Sequence, residues 1–379
     1  MKIAIDARFY GLENAGLGRY TVNLIHSLSK IDKENEYSVL LRKKYFKELS
    51  LPGNFKKVEA EFQHYGFSEQ LHLVRLLNSM DFDFVHFLHF NIPILFRGKY
   101  IVTIHDLLMH RQKGYEATTL NPLMYEFKRV GYRHVFSEAV KKACQIIVPT
   151  KTVKIDLTRY YKFLPESKIS VIHEGIDAKF HSTEKDLKDV LKKYNISEKY
   201  FIYVGNAYPH KNLERVIEGV VQLNKSGKVN ELLKLVIVTP RNVFRNRLAM
   251  QVSRYFASEH VTILGYVPDD ELQALYKGSI AFVYPSLSEG FGLPGLEAMM
   301  SGTIALVSDI PVFHEVYKNQ AIYFNPYDFS AIAKAMGSVV EIDKLKRKQI
   351  ITKGISFVKG YSWEKMASET LELYKRVRD

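Results

Sequence analysis

Residues 284–309, YPSLSEGFGLPGLEAMMSGTIALVSD, pass from a strand rich in β-branched and aromatic residues, SIAFVYPS, through a glycine-rich turn into a helix, and out into a second strand, TIALVSD. Two short apolar runs joined by one helix make a βαβ unit, which belongs to a parallel sheet. The helix is expected to open at Pro294, because proline in the first helical position gives up an N–H that would be unpaired anyway. Gly290 and Gly292, with Phe291 and Leu293 between and after them, bring backbone N–H groups to a helix N-terminus, a place that suits phosphate oxygens. Glu289 stands before this turn, facing the next group along, and Glu297 lies in the first helical turn, placed to accept hydrogen bonds from ribose hydroxyls. A single early acid commonly just complements the helix macrodipole. Two acids eight residues apart around Gly-Phe-Gly-Leu-Pro ask for a ligand.

The same alternation extends in both directions. KIAIDA, YSVLL, FVHFL, YIVTIHD and QIIVPT form one series of strands, and YFIYVGN, LKLVIVTP and HVTILGYV begin a second, separated by helical stretches such as LERVIEGVVQLNKSG. The fold class is α/β, with two Rossmann-like, doubly wound domains over residues 1–178 and 179–361. The polar stretch KFHSTEKDLKDVLKKYNISEKY lies near their junction, where a cleft is expected. Ligands of such sheets bind at the carboxyl ends of the strands.

The chain of 379 residues is 46% hydrophobic, ample for two cores. Its one cysteine, Cys144, cannot form an internal disulfide, which fits a cytoplasmic setting. Asp6 and Arg8 interrupt what would be the apolar segment of a signal peptide, and no run reaches the ~18 apolar residues of a membrane span. The net charge is +13, concentrated in residues 108–162, where eleven Lys/Arg face four Asp/Glu. Interleaved aromatics there, including Tyr115, Tyr125 and Phe127, suit contact with an anionic membrane surface as well as ordinary solvated helix faces. Charge alone does not make a nucleic-acid-binding protein, and no nucleic-acid signature accompanies it.

SEGFGLPGLEAMMSG resembles the E-x7-E signature of the retaining glycosyltransferases of the family-four (group 1) type, which have the two-domain GT-B fold; it departs from the pattern at Gly295, where a larger residue is usual. The resemblance covers nearly the whole chain. It implies transfer of a hexose from a nucleotide sugar, with mannose from GDP-mannose the first choice, to a glycan or lipid-linked acceptor of a surface polysaccharide, with retention. The nucleotide sugar is then the co-substrate, and neither a separate cofactor nor a metal is implied.

Further segments carry the likeness. IDARFYGLENAGLGRY leads from a strand through a glycine loop, Gly16 and Gly18, into a helix striped with Leu17, Tyr20, Leu24 and Leu28. The loop resembles one lying beside the donor diphosphate and acceptor, although Thr21 stands where a dinucleotide fingerprint needs its third glycine. His105, at the end of YIVTIHD, matches a strand-end histidine that contacts the donor sugar. In VGNAYPHKNLERVI, Lys211 matches the lysine that neutralises the diphosphate. Asn206 occupies a position where many members carry a second cation, for which His210 partly substitutes. Gly265, Tyr266 and Val267 match backbone contacts to the nucleotide base, and Asp269, Asp270 and Glu271 look like capping acids. The last segment, 362–379, resembles a terminal helix that packs back on the N-terminal domain, anchored by Trp363.

Several other readings compete. Glu289 and Glu297 come from one turn, whereas glycosidase carboxylates must flank the scissile bond. A different GT-B enzyme, such as a nucleotide-sugar epimerase or sugar-phosphate synthase, or a non-catalytic nucleotide-sugar-binding scaffold, shares the expected architecture. Asp81-Phe82-Asp83 has a metal-binding form but precedes its strand, and His86 and His89 do not share a strand face, so neither is expected to hold a metal.

Overall fold

A computed structural model describes residues 1–62, 64–66, 68–111, 121–181, 185–196, 199–227 and 229–378. The chain divides into two compact units, Met1–Gly175 with Trp363–Asp379, and Ile176–Ser362.

The first unit is built on a seven-stranded sheet. Its strands are β1 (Lys2–Asp6), β2 (Glu36–Leu41), β3 (Phe55–Glu59), β4 (Phe84–Phe87), β5 (Tyr100–Thr103), β6 (Gln145–Val148) and β7 (Ile169–Val171), in the spatial order β3-β2-β1-β4-β5-β6-β7. Every pairing is parallel. Such strands are covered on both faces, which is why Ile3, Ala4, Ile5, Val85, Val102 and Ile146 are all buried. On the helix Ala15–Ile31, Tyr20, Leu24 and Leu28 are buried at helical spacing. Gly16 and Gly18 lie inside this helix, in its first turn, rather than in a loop before it. Gly18 is required by packing, since a Cβ there would stand 1.9 Å from the Gly11 carbonyl oxygen, whereas a Cβ on Gly16 would meet nothing.

The helix Trp363–Arg378 belongs to this first unit and buries Trp363, Met366, Ala367, Thr370, Leu373, Tyr374 and Val377, a continuous apolar stripe. A buried chain of hydrogen bonds fixes it to the sheet. The Tyr374 hydroxyl lies 2.6 Å from His86 Nδ1, His86 Nε2 lies 2.8 Å from Thr103 Oγ1, and Thr103 Oγ1 lies 3.3 Å from the Tyr20 hydroxyl. Burial pushes His86 down to about 3, so it is a neutral hydrogen-bonding core residue.

The second unit carries β8 (Tyr200–Val204), β9 (Lys234–Val238), β10 (Val261–Leu264), β11 (Phe282–Tyr284), β12 (Ala305–Ser308) and β13 (Ile322–Phe324), ordered β10-β9-β8-β11-β12-β13 and again all parallel. The two sheets wind identically: the strand order reverses between β1 and β4 in one and between β8 and β11 in the other. These are the switch points at which doubly wound sheets take ligands. Among the described residues, no helix is long and apolar enough to cross a membrane.

Candidate functional site

At the switch point of the second unit, β8 runs into Gly205 and Asn206, then into a short 3-10 turn at Pro209–Lys211, and β11 runs into the turn that holds Glu289. Gly205 has φ +148°, and its neighbour Asn206 is held through its carbonyl by the Tyr203 hydroxyl at 2.7 Å. The Leu287 N–H donates to the His210 carbonyl at 2.8 Å, joining the two loops. Lys211 Nζ then lies 2.6 Å from Glu289 Oε1, with both side chains largely buried. Burial alone would push the Glu289 carboxyl up; the Lys211 ammonium outweighs it and holds Glu289 below the usual carboxylate range. His210 is pushed down to about 4, first by burial and then by the Lys211 charge.

The turn after Glu289 differs in detail from expectation. The helix spans Leu293–Met300, so Pro294 is its second residue and Glu297 its fifth, past the first turn. Gly292 precedes it with φ +121° and no side chain caps it. Phe291 and Leu293 are buried, Phe291 edge-on to Tyr361 at 5.7 Å. Glu297 is buried, and its carbonyl accepts from Ser301 Oγ at 2.9 Å. Tyr317 explains the departure at Gly295. Its buried hydroxyl donates to the Gly292 carbonyl at 2.5 Å and would lie 2.3 Å from a Cβ on Gly295.

Past β10, Gly265 is half-buried, Tyr266 exposed and Val267 buried. Pro268 is the N-cap of the helix Asp269–Gly278, so Asp269, Asp270 and Glu271 occupy its first turn rather than the cap position. They complement the dipole and pair with Lys179 at 3.0 Å, Lys185 at 3.3 Å and Lys193 at 2.7 Å.

In the first unit, His105 follows β5. Its Nδ1 lies 3.1 Å from Glu174 Oε1 and its Nε2 3.0 Å from the Leu88 carbonyl oxygen. Carboxylate and carbonyl oxygens only accept, so this setting favours the protonated ring, in which both nitrogens donate. Burial opposes this charge, but Glu174 prevails and raises the His105 pKa above the ordinary histidine value. Glu174 is a residue that sequence reasoning missed; an acid in an irregular loop gives no local signal.

The remaining candidates resolve into ordinary roles. Asp83 accepts from the Lys2 N–H at 2.8 Å and Asp81 pairs with Lys2 Nζ at 2.5 Å. Among the described residues no group of three His, Cys, Asp or Glu could hold a metal ion. Of the basic region 108–162, Lys113, Tyr115 and Glu116 lie outside the described residues. The helix Pro122–Lys142 within it exposes Leu123 (87%), Phe127 (79%) and Val130 (66%) on one face, with Lys128 and Arg133 also exposed.

Residues 186–357 match the model of the family described as Glycosyl transferases group 1, and residues 15–180 that of Glycosyltransferase Family 4. The O-antigen chain mannosyltransferase RfbU of Salmonella typhimurium is 31% identical over 287 residues, covering 74% of this chain and 75% of that protein. The O-antigen chain mannosyltransferase B of Escherichia coli is 31% identical over 187 residues, 49% of this chain and 48% of its own. Among solved structures, sucrose-phosphate synthase from Thermosynechococcus elongatus superposes with a TM-score of 0.78 at 17% identity, covering 100% of this chain and 99% of that chain, a likeness of fold.

Proposed function

The chain belongs to the glycosyl transferases group 1 family, and on that premise we propose that it moves a hexose, mannose from GDP-mannose, to a glycan or lipid-linked acceptor in the synthesis of a surface polysaccharide. Transfer proceeds with retention and needs no metal, and the nucleotide sugar is the only small co-substrate. The observation that carries this reading is the Lys211–Glu289 pair at the switch point of the second unit. The mannosyl choice is supported by the two O-antigen mannosyltransferases that this chain resembles.

In the proposed reaction the bond between the anomeric carbon and the diphosphate oxygen breaks while a bond to the acceptor oxygen forms on the same face. The acceptor proton passes to the departing phosphate. Negative charge grows on that phosphate, where Lys211 and the backbone N–H groups of Gly290–Leu293 stabilise it as preorganised donors. Glu289 and Glu297 hold sugar and ribose hydroxyls, and the His105 imidazolium supplies a fixed positive charge in the first unit.

Of the two acceptor classes, a lipid-linked one met at the inner face of the plasma membrane is supported by the exposed Leu123, Phe127 and Val130 beside Lys128 and Arg133. Thermal melts with GDP, UDP and ADP test the donor, since the true nucleotide raises the melting temperature by mass action. GDP alone should do so; a shift with UDP alone would overturn the choice of donor. Sedimentation with anionic vesicles at low and high salt tests the membrane contact, and salt-insensitive absence of binding would remove it.

A further inference from the structure

The switch point of the first unit carries a second constructed feature. Arg8, just past β1, is entirely buried and grips Asp6 through Nε and Nη2, each at 2.7 Å, while Nη2 also reaches Glu69 Oε1 at 2.7 Å. The other Glu69 oxygen, Oε2, accepts from Asn91 Nδ2 at 2.7 Å and from the Tyr65 backbone N–H at 2.9 Å. Burying three charges costs desolvation that their attraction barely returns, so such a network is better explained by what it positions. What it positions is Tyr65, which sits at φ +63°, a left-handed conformation that an aromatic residue adopts only when its surroundings impose it.

The imposed conformation holds the Tyr65 ring out from the protein, 65% exposed. Behind it lies an aromatic floor at the carboxyl ends of β1 and β4. The Tyr65 ring is edge-on to His89 at 6.2 Å and 6.2 Å from Phe90, and Phe9 stacks on His64 at 3.7 Å and stands 5.1 Å from His89. A displayed aromatic face matches one ligand chemistry well. A pyranose ring presents a face of C–H bonds that stacks on an aromatic ring and a rim of hydroxyls that both donate and accept.

We propose that Tyr65, backed by Phe9, His64 and His89, is a stacking platform for a pyranose residue of the acceptor glycan. This rests on the glycosyltransferase reading only for the word acceptor; the binding itself needs no turnover. The Asp6–Arg8–Glu69 network is a positioning device that keeps the ring displayed.

Saturation-transfer NMR on the full chain with methyl α-D-mannopyranoside and methyl α-D-glucopyranoside as probes tests it. The wild type should pass saturation to the ring C–H protons of at least one probe. Tyr65→Phe should keep the transfer and Tyr65→Ala should reduce it about five-fold, the order of one aromatic contact. Tyr65 is mostly exposed, so both variants should melt with the wild type, and Leu345→Ala, exposed in the other unit, should leave the signal unchanged. Equal transfer in wild type and Tyr65→Ala, loss on Leu345→Ala, or no transfer from the wild type to either probe would each overturn the platform. Failure of the enzymatic reading shows separately, as no nucleotide released from any sugar nucleotide while probe binding persists.

Discussion

The Lys211 ammonium lies 2.6 Å from the Glu289 carboxylate across 78 residues of sequence, in a setting where each side chain is nearly closed off from water. Neither charge is tolerable there without the other. Lys211→Ala should lower nucleotide release from the sugar donor roughly 100- to 1000-fold, as expected for removal of a preorganised donor to developing negative charge. Steady-state turnover checks it, and wild-type turnover would remove Lys211 from the reaction.

The same pair sets the acid limb of stability. Because Glu289 is depressed in the folded protein, its contribution is present above the ordinary glutamate value of about 4.3 and is lost as pH falls through the lower folded value. Lys211→Met should flatten this loss in melts between neutral and acid pH.

His105 runs in the opposite direction. Its pKa is raised in the fold, so its contribution is complete below the ordinary histidine value of about 6.5 and fades as pH rises through the higher folded value. Glu174→Gln should bring the His105 titration down, read directly from the imidazole NMR signals. An unchanged titration would dissolve the argument that Glu174 keeps the ring charged.

Gly295 and Tyr317 should behave as a coupled pair. Gly295→Ala drives a methyl group against a fixed hydroxyl and should cost about 1–3 kcal/mol. Tyr317→Phe forfeits the hydrogen bond to Gly292, about 1 kcal/mol, yet removes the clashing oxygen. The double variant should therefore be more stable than the sum of the two losses allows, measured as a double-mutant cycle on the melting of the second unit.

Tyr374→Phe should cost about 1–2 kcal/mol by leaving His86 Nδ1 without its partner in the core. Hydrogen exchange should accelerate along Trp363–Arg378 ahead of the rest of its unit.

Much of this was readable from the chain. The central strands announce themselves because both faces are buried and most positions are apolar, as in KIAID or FVHF. The strands that escaped notice are β3, β7 and β13, each at an edge of its sheet. FKKVE alternates and carries charge because its outer side is wet, and ISV and IYF are too short to form a pattern. In the site, Lys211 and Glu289 were each legible from their motifs, but their mutual contact is tertiary and left no mark on either segment. Gly295 read as a departure only because the Tyr317 hydroxyl that fills its place comes from another helix. Tyr65 gave no signal at all, since a single left-handed residue held by a side-chain acceptor has no sequence period.

The helix Trp363–Arg378 completes a sheet whose first strand was made more than three hundred residues earlier. The unit Ile176–Ser362 is continuous, whereas the unit begun before it cannot place Tyr374 against His86 until residues 363–378 have been made. Through the synthesis of the whole second unit the earlier half waits with the groove for the helix Trp363–Arg378 still open, and that half is where chaperone capture and premature association should concentrate.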